Sequence, residues 1–327
     1  MKIAFFSAKP YEKDFFNHAL PDFQHEINYL EVKLDTHTAN FAAGAEAVCV
    51  FVNDIVNAAV LTQLAAQGVK LIALRCAGYN NVDLKAAAQH GIAVVRVPAY
   101  SPYSVAEHTI ALILTLNRKT HRAYNRVREN NFSLDGLLGF DLHGKTVGLI
   151  GLGKIGLATA QILKGFGCKV LGYDVQTTAE AVAVGVEFTT FDALLQQSDI
   201  VSLHCPLNPH TKYLINEQAI GKMKNGVMLI NTSRGGLIDT KAVIQGLKSK
   251  KIAYLGLDVY EEEGDLFFED LSTEVIADDT FTRLLTFPNV LITGHQAFFT
   301  QNAMQSIAQT TLQNIRSFEQ GELRNQV

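Results

Sequence analysis

Short runs of apolar, β-branched residues recur along almost the whole chain, with segments of helical spacing between most of them. The runs fall at residues 2–6, 47–51, 71–74, 93–97, 146–150, 169–173, 200–203, 227–231, 254–257 and 290–293. Helical segments such as 56–67 and 155–164 lie between them. Several runs are continuously apolar rather than alternating, as strands are when both faces are covered. Covered strands alternating with helices predict parallel sheets in an α/β protein. A chain of 327 residues has room for two domains of ordinary size.

The punctuation between runs divides the chain. Pro98 and Pro102 precede a long, mostly apolar helical stretch over 104–116, and a polar, glycine-containing stretch follows at 130–145. We read a first α/β unit, a connecting helix, and a second α/β unit. A last helix over about 301–320 follows the final strand and is expected to cross back to the first unit. The expected domains are therefore 1–100 with 299–327, discontinuous, and 101–298.

The second unit opens on Gly151-Leu152-Gly153-Lys154-Ile155-Gly156, directly after the strand at 146–150 and leading into a helix. In a G-x-G-x-x-G of this placement, the first glycine permits the tight turn and the second lets backbone approach a pyrophosphate. The third lets helix and strand pack closely, and the helix N-terminus offers free N–H groups to phosphate. A lone glycine turn is weak evidence. Here the next strand ends in Asp174, about 20 residues on, where an acid that binds the ribose hydroxyls is expected. An acid there repels a 2′-phosphate, so NAD is expected rather than NADP.

Composition excludes several classes. The net charge is −4, from 28 Lys plus Arg against 32 Asp plus Glu, without the basic excess of nucleic-acid binders. The nearest approach to a basic cluster, Arg118, Lys119, Arg122, Arg126 and Arg128, recurs at helical spacing and reads as a solvated face or subunit contact. Cys49, Cys76, Cys168 and Cys205 form no C-x-x-C pair and read as free thiols in a reducing compartment. The ten histidines show no metal-ligand spacing, so no metal site is expected. The apolar start at 1–6 is too short for a signal peptide and reads as a strand. No stretch approaches the roughly 20 apolar residues of a membrane span. Cytoplasmic residence is the expectation.

Several stretches together resemble the D-2-hydroxyacid dehydrogenase family. They are Arg75-Cys76-Ala77-Gly78-Tyr79-Asn80-Asn81-Val82-Asp83, the glycine turn with Asp174, His204-Cys205-Pro206-Leu207, Asn231-Thr232-Ser233-Arg234-Gly235-Gly236, the run from Gly256 to Glu263, and Gly294-His295-Gln296-Ala297-Phe298. They fall in family order and spacing. Residues 265–279 and the His-Gln-Ala-Phe that follows resemble the fermentative, lactate-forming branch. The resemblance implies two Rossmann-like domains with the substrate in the cleft between them, and NAD as cofactor. It also implies that pyruvate is reduced to D-lactate.

It implies, too, a catalytic arginine, glutamate and histidine, which fall on Arg234, Glu263 and His295. Their chemistry suits the reaction. A guanidinium fork can engage the carboxylate and carbonyl oxygens of a 2-keto acid. Histidine can give and take the proton of the developing alkoxide. A carboxylate beside it holds the ring and favours its protonated form. Implied cofactor contacts are Gly151, Gly153, Lys154, Ile155, Gly156, Asp174, Cys205, Pro206, Thr211, Thr232, Ser233 and Asp258, the last beside the nicotinamide carboxamide. Implied substrate contacts are the amides of Ala77 and Gly78, with Tyr100, Arg234 and His295. Phe51 and Phe298 are expected to wall the substrate methyl.

Blander readings exist for the catalytic three: a solvated acidic run at Glu261-Glu262-Glu263, an arginine at a glycine turn, a surface histidine. Each residue nonetheless follows a strand's carboxyl end, where open α/β sheets place ligands. His108, in the connecting helix, and His204, at a strand end, are expected to take no part in proton transfer. Competing functions are a related dehydrogenase of glyoxylate, hydroxypyruvate or a bulkier 2-keto acid, and an NAD-sensing protein without turnover. A homodimer or homotetramer is expected, with the apolar connecting helix as a subunit contact.

Overall fold

The computed structural model describes residues 1–327, save the side chain of Asp265. The chain divides into two compact units, Met1–Ser101 with Phe299–Val327, and Pro102–Phe298.

The first unit runs β1 (Lys2–Phe5), α1 (Pro10–Ala19), β2 (Glu26–Tyr29), β3 (Ala47–Val50), α2 (Ala58–Ala66), β4 (Leu71–Leu74), α3 (Leu84–Gln89) and β5 (Ala93–Val95). Its five strands are all parallel, in the order β2-β1-β3-β4-β5. That is the flavodoxin-like winding, with its switch point between β1 and β3. Every residue of β3 and β4 is buried, which is why both read as continuous apolar runs. The sequence reading missed β2. As an edge strand it alternates exposed with half-buried residues, Glu26-Ile27-Asn28-Tyr29, and so lacks such a run.

The second unit begins with α4 (Pro102–Arg118) and α5 (Thr120–Arg128), followed by β6 (Thr146–Ile150), α6 (Lys154–Gly165), β7 (Lys169–Tyr173), α7 (Ala179–Val184), β8 (Glu187–Phe188), α8 (Phe191–Gln197) and β9 (Ile200–Leu203). It continues with α9 (Glu217–Lys222), β10 (Val227–Asn231), α10 (Thr240–Lys248), β11 (Ile252–Leu257), α11 (Asp279–Leu285) and β12 (Val290–Ile292). Its parallel sheet has the order β12-β11-β10-β9-β6-β7-β8. Read from β6, this is the Rossmann winding 3-2-1-4-5-6 with one further strand. The two-residue edge strand β8 is too short to register as an apolar run.

The connecting helix packs within its own unit. The apolar residues of α4, including Ile110, Leu112, Ile113 and Leu116, pack with Val147, Ile200, Met228 and Ile230 of the second sheet. Its apolar face is thereby taken up by the core of its own unit. The chain ends on α12 (Gln301–Glu319), which packs on α1 and β4 of the first unit.

Candidate active site

The dinucleotide turn lies at the switch point of the second sheet, where β6 and β9 end side by side. Gly151 has φ +96°, and a Cβ there would lie 2.5 Å from the backbone nitrogen of Cys205. A Cβ on Gly156 would collide with the carbonyl oxygen of Gly151. Around Gly153 there is open space, with nothing within 4 Å of an added Cβ. No side chain caps the start of α6, so the first-turn N–H groups at Lys154 and Ile155 remain available to an anion. The Asp174 carboxylate is pinned beside the turn, accepting from Leu152 N–H and Val175 N–H, both at 2.6 Å. An open glycine, an uncapped helix and a fixed carboxylate fit a dinucleotide.

The other expected cofactor residues border this turn in different ways. Ser233 Oγ donates to the carbonyl of Cys205 at 2.7 Å, tying the β10 loop to the β9 loop. Thr211 Oγ1 donates to the Pro206 carbonyl at 2.6 Å and closes that loop. The buried Thr232 hydroxyl pairs with Thr109 of α4 at 2.8 Å. Burial pushes the Cys205 thiol up to about 11, which keeps it neutral. It pushes His204 down to about 4. That ring bonds to Ser202 Oγ at 2.9 Å through Nε2, while Nδ1 is buried and has no partner among the described residues.

Arg234, Glu263 and His295 stand beyond the carboxyl ends of three adjacent strands, β10, β11 and β12. His295 Nδ1 lies 2.8 Å from Glu263 Oε1. The other carboxylate oxygen accepts from the Tyr260 N–H at 3.0 Å, so the glutamate is oriented from both sides. Nδ1 therefore carries the proton that faces the carboxylate, and Nε2 is left to exchange one. The ring sits near Phe268 (5.7 Å between centroids) and Phe298 (6.5 Å). Arg234 is half-buried, with Nη1 donating to the Ser233 carbonyl at 2.6 Å. A Cβ on the adjacent Gly235 would collide with the Tyr260 backbone, so that glycine lets the arginine loop lie against the loop leading to Glu263. The structure thus joins His295 to Glu263 directly and brings Arg234 alongside through backbone.

Sequence reasoning missed the architecture beneath His295. The buried Asp258 carboxylate accepts from Thr293 Oγ1 at 2.5 Å, Gln296 N–H at 2.9 Å and Ala297 N–H at 2.8 Å. Its own carbonyl accepts from His295 N–H at 2.7 Å. His108 Nε2 reaches the same group, 3.0 Å from Thr293 Oγ1 and 3.3 Å from Asp258 Oδ1. Asp258 therefore builds the turn that presents His295, and no local motif announces such a role. In the first unit, Phe51, Ala77, Gly78 and Tyr100 also follow strand ends, those of β3, β4 and β5. Phe51 is buried and held by its N–H to Asp54 Oδ2 at 2.6 Å, with the Arg75 guanidinium 5.0 Å over its ring.

Known proteins resemble this chain over its full length. Residues 110–297 match the sequence model of the D-isomer specific 2-hydroxyacid dehydrogenase NAD binding domain. A "2-hydroxyacid dehydrogenase homolog 1" of Schizosaccharomyces pombe is 56% identical, covering 97% of this chain and 96% of that protein. A D-lactate dehydrogenase of Escherichia coli is 54% identical, covering 98% of each. The solved apo-structure of D-lactate dehydrogenase from Escherichia coli superimposes with a TM-score of 0.91 at 51% identity, covering all of both chains.

Proposed function

We propose, for a chain that belongs to the D-isomer-specific 2-hydroxyacid dehydrogenase family, the activity of an NAD-dependent D-lactate dehydrogenase. The reaction is the reversible reduction of pyruvate to D-lactate. The observation that carries this reading is the His295–Glu263 pair at 2.8 Å, on the sheet that also carries the dinucleotide turn. Near-complete coverage by a D-lactate dehydrogenase supports the choice of substrate.

Bound NADH supplies a hydride to the carbonyl carbon. His295 donates its Nε2 proton to the carbonyl oxygen in reduction and takes it back in oxidation. Glu263 keeps the proton on Nδ1 and balances the imidazolium charge. The Arg234 fork holds the carboxylate and the carbonyl oxygen, fixing which face of the carbon is offered. Amides of Ala77 and Gly78, with Tyr100, take the carboxylate, and Phe51 and Phe298 restrict the methyl side. Asp174 rejects a 2′-phosphate by charge. The cofactor contacts are those named above, at Gly151, Gly153, Lys154, Ile155, Gly156, Asp174, Cys205, Pro206, Thr211, Thr232, Ser233 and Asp258. The substrate role falls to the first unit and the dinucleotide role to the second.

Self-association into a homodimer or homotetramer belongs to the same proposal. Tyr124, Val127, Phe132, Leu134 and Leu138 are all exposed within one short stretch, and exposed apolar side chains grouped in this way suit a subunit contact. Among the described residues no helix is long and apolar enough to cross a membrane, and all four cysteines are free. Residence in the reducing cytoplasm suits them.

The test is NADH oxidation with pyruvate, glyoxylate, hydroxypyruvate, 2-ketobutyrate and phenylpyruvate, with product chirality determined. The expected result is the highest kcat/KM for pyruvate, D-lactate as product, and clear preference for NADH over NADPH. L-lactate as product, or a larger kcat/KM for another keto acid, overturns the reading.

A further inference from the structure

The turn after β4 is tied down by its carbonyl groups and left open at its amides. Arg96 Nη1 donates to the Ala77 carbonyl at 2.7 Å. Cys76 Sγ donates to the Gly78 carbonyl at 3.2 Å, and Val97 N–H to the Cys76 carbonyl at 3.1 Å. Among the described residues, the N–H groups of Ala77 and Gly78 donate to no other group. Planarity couples these facts. A peptide C=O and the N–H that follows it belong to one rigid plane and point in opposite directions. Holding the Cys76 carbonyl therefore aims the Ala77 N–H, and holding the Ala77 carbonyl aims the Gly78 N–H.

Arg96 is itself braced. Its guanidinium lies 5.1 Å over the Tyr79 ring, on the turn it grips. Its N–H donates to the Asn325 carbonyl at 3.0 Å, and its carbonyl accepts from Asn314 Nδ2 at 2.8 Å. Asn325 Nδ2 donates in turn to Asn314 Oδ1 at 2.8 Å. Gln326 bridges Val95 antiparallel, and Val327 N–H donates to the Val94 carbonyl at 3.1 Å. Residues 325–327 thus cover the open edge of β5 where Arg96 leaves it. Asn325 does so at φ +56°, a left-handed backbone that asparagine tolerates better than most residues.

We propose that Arg96 is a positioning residue for the substrate carboxylate, aiming the Ala77 and Gly78 amides at it, and that residues 325–327 hold Arg96 in register. The inference rests on the assignment of those amides to the carboxylate made above. It concerns binding common to ground state and transition state, so it belongs in KM rather than kcat.

The experiment compares Arg96→Met, Arg96→Lys and Asn325→Ala with the parent enzyme. It measures pyruvate KM, kcat, inhibition by the pyruvate analogue oxamate, and NADH dissociation by fluorescence. Arg96→Met is expected to raise pyruvate KM and the oxamate inhibition constant about tenfold, the scale of one hydrogen bond from a charged group. Its kcat should stay within about threefold and its NADH affinity should not move. Arg96→Lys should fall between, because an ammonium can reach the carbonyl but cannot lie flat on Tyr79. Asn325→Ala should raise KM about threefold, a fraction of the direct loss. A folded Arg96→Met enzyme with parental KM and oxamate inhibition overturns the inference, as does an equal loss of NADH affinity. Should Arg96→Met not fold, the surface variant Asn325→Ala decides, and a parental KM there overturns the inference. A parent enzyme that turns over no 2-keto acid sinks the functional reading itself, a failure seen before any variant is made.

Discussion

His295 sits at φ +51°, a left-handed backbone that costs a non-glycine residue on the order of 1–3 kcal/mol. The turn is held there by Asp258, which accepts from Gln296 and Ala297 N–H groups and from the Thr293 hydroxyl. Strain offset by a buried acid at the proposed proton donor fixes the direction of the ring before substrate arrives. The charge on Glu263 can then be tested apart from its shape. Glu263→Gln keeps a hydrogen-bond acceptor but removes the counter-charge of the imidazolium. We expect kcat for pyruvate to fall roughly 100-fold, with NADH affinity little changed. Steady-state kinetics, with a deuterated-NADH isotope effect showing that hydride transfer limits the rate, check this. A parental kcat rules the pairing out. Arg234, Glu263 and His295 were legible in the sequence because each stands in a family motif directly after an apolar strand. Asp258 was visible only as a cofactor contact. Its bonds to Gln296 and Ala297 join residues that the fold, not the chain, makes neighbours.

At the scale of elements, strand interiors were more legible than strand ends. Phe6, Phe51, Arg96 and Val97 continue apolar or mixed runs but lie past the ends of β1, β3 and β5, because the carboxyl edge of each sheet hands its last residues to the loops. The glycines of α6 allow a paired test. A methyl on Gly156 meets the Gly151 carbonyl, whereas one on Gly165 meets nothing within 4 Å. Gly156→Ala should push α6 from β6, costing about 1–3 kcal/mol of stability and weakening NADH binding at least tenfold. Gly165→Ala should leave binding unchanged and stabilise the helix by up to about 1 kcal/mol. Thermal unfolding and NADH fluorescence titration read both. Equal behaviour of the two variants would mean that the close approach at Gly156 is not what shapes the turn.

At the scale of the molecule, burial sets an acid limit. His204 is pushed down to about 4 by desolvation, whereas an unfolded histidine takes its proton near pH 6.5. Between those values the unfolded chain binds a proton that the folded chain refuses. The stability tied to this group is therefore complete above about pH 6.5 and is lost as pH falls toward 4. The ceiling is about 3 kcal/mol. His204→Gln should show a shallower fall in urea midpoint between pH 7 and pH 5 than the parent enzyme, and parallel curves would dismiss the effect. The first unit holds a buried charge of a different kind. Arg75, with no exposure, is met by Glu12 at 2.6 Å, so its charge is buried with its counter-ion.

The sequence by itself determined the parallel α/β class and the dinucleotide turn, which follow from periodicity and from glycine spacing, properties of neighbours along the chain. The three proposed catalytic residues came from the resemblance of their motifs to the family's. The sequence also contained the edge strands β2 and β8, but without a signal, since an exposed edge imposes no apolar run. Only the tertiary structure decided what depends on residues far apart in sequence. The fate of the apolar face of α4 is one case, for an amphipathic helix does not say which surface will cover it. The acid beneath His295 is another, and the clamp of Arg96 on the turn at Ala77 and Gly78 is a third. In each, a side chain's partner is chosen by the packing of layers, and no short-range pattern records that choice.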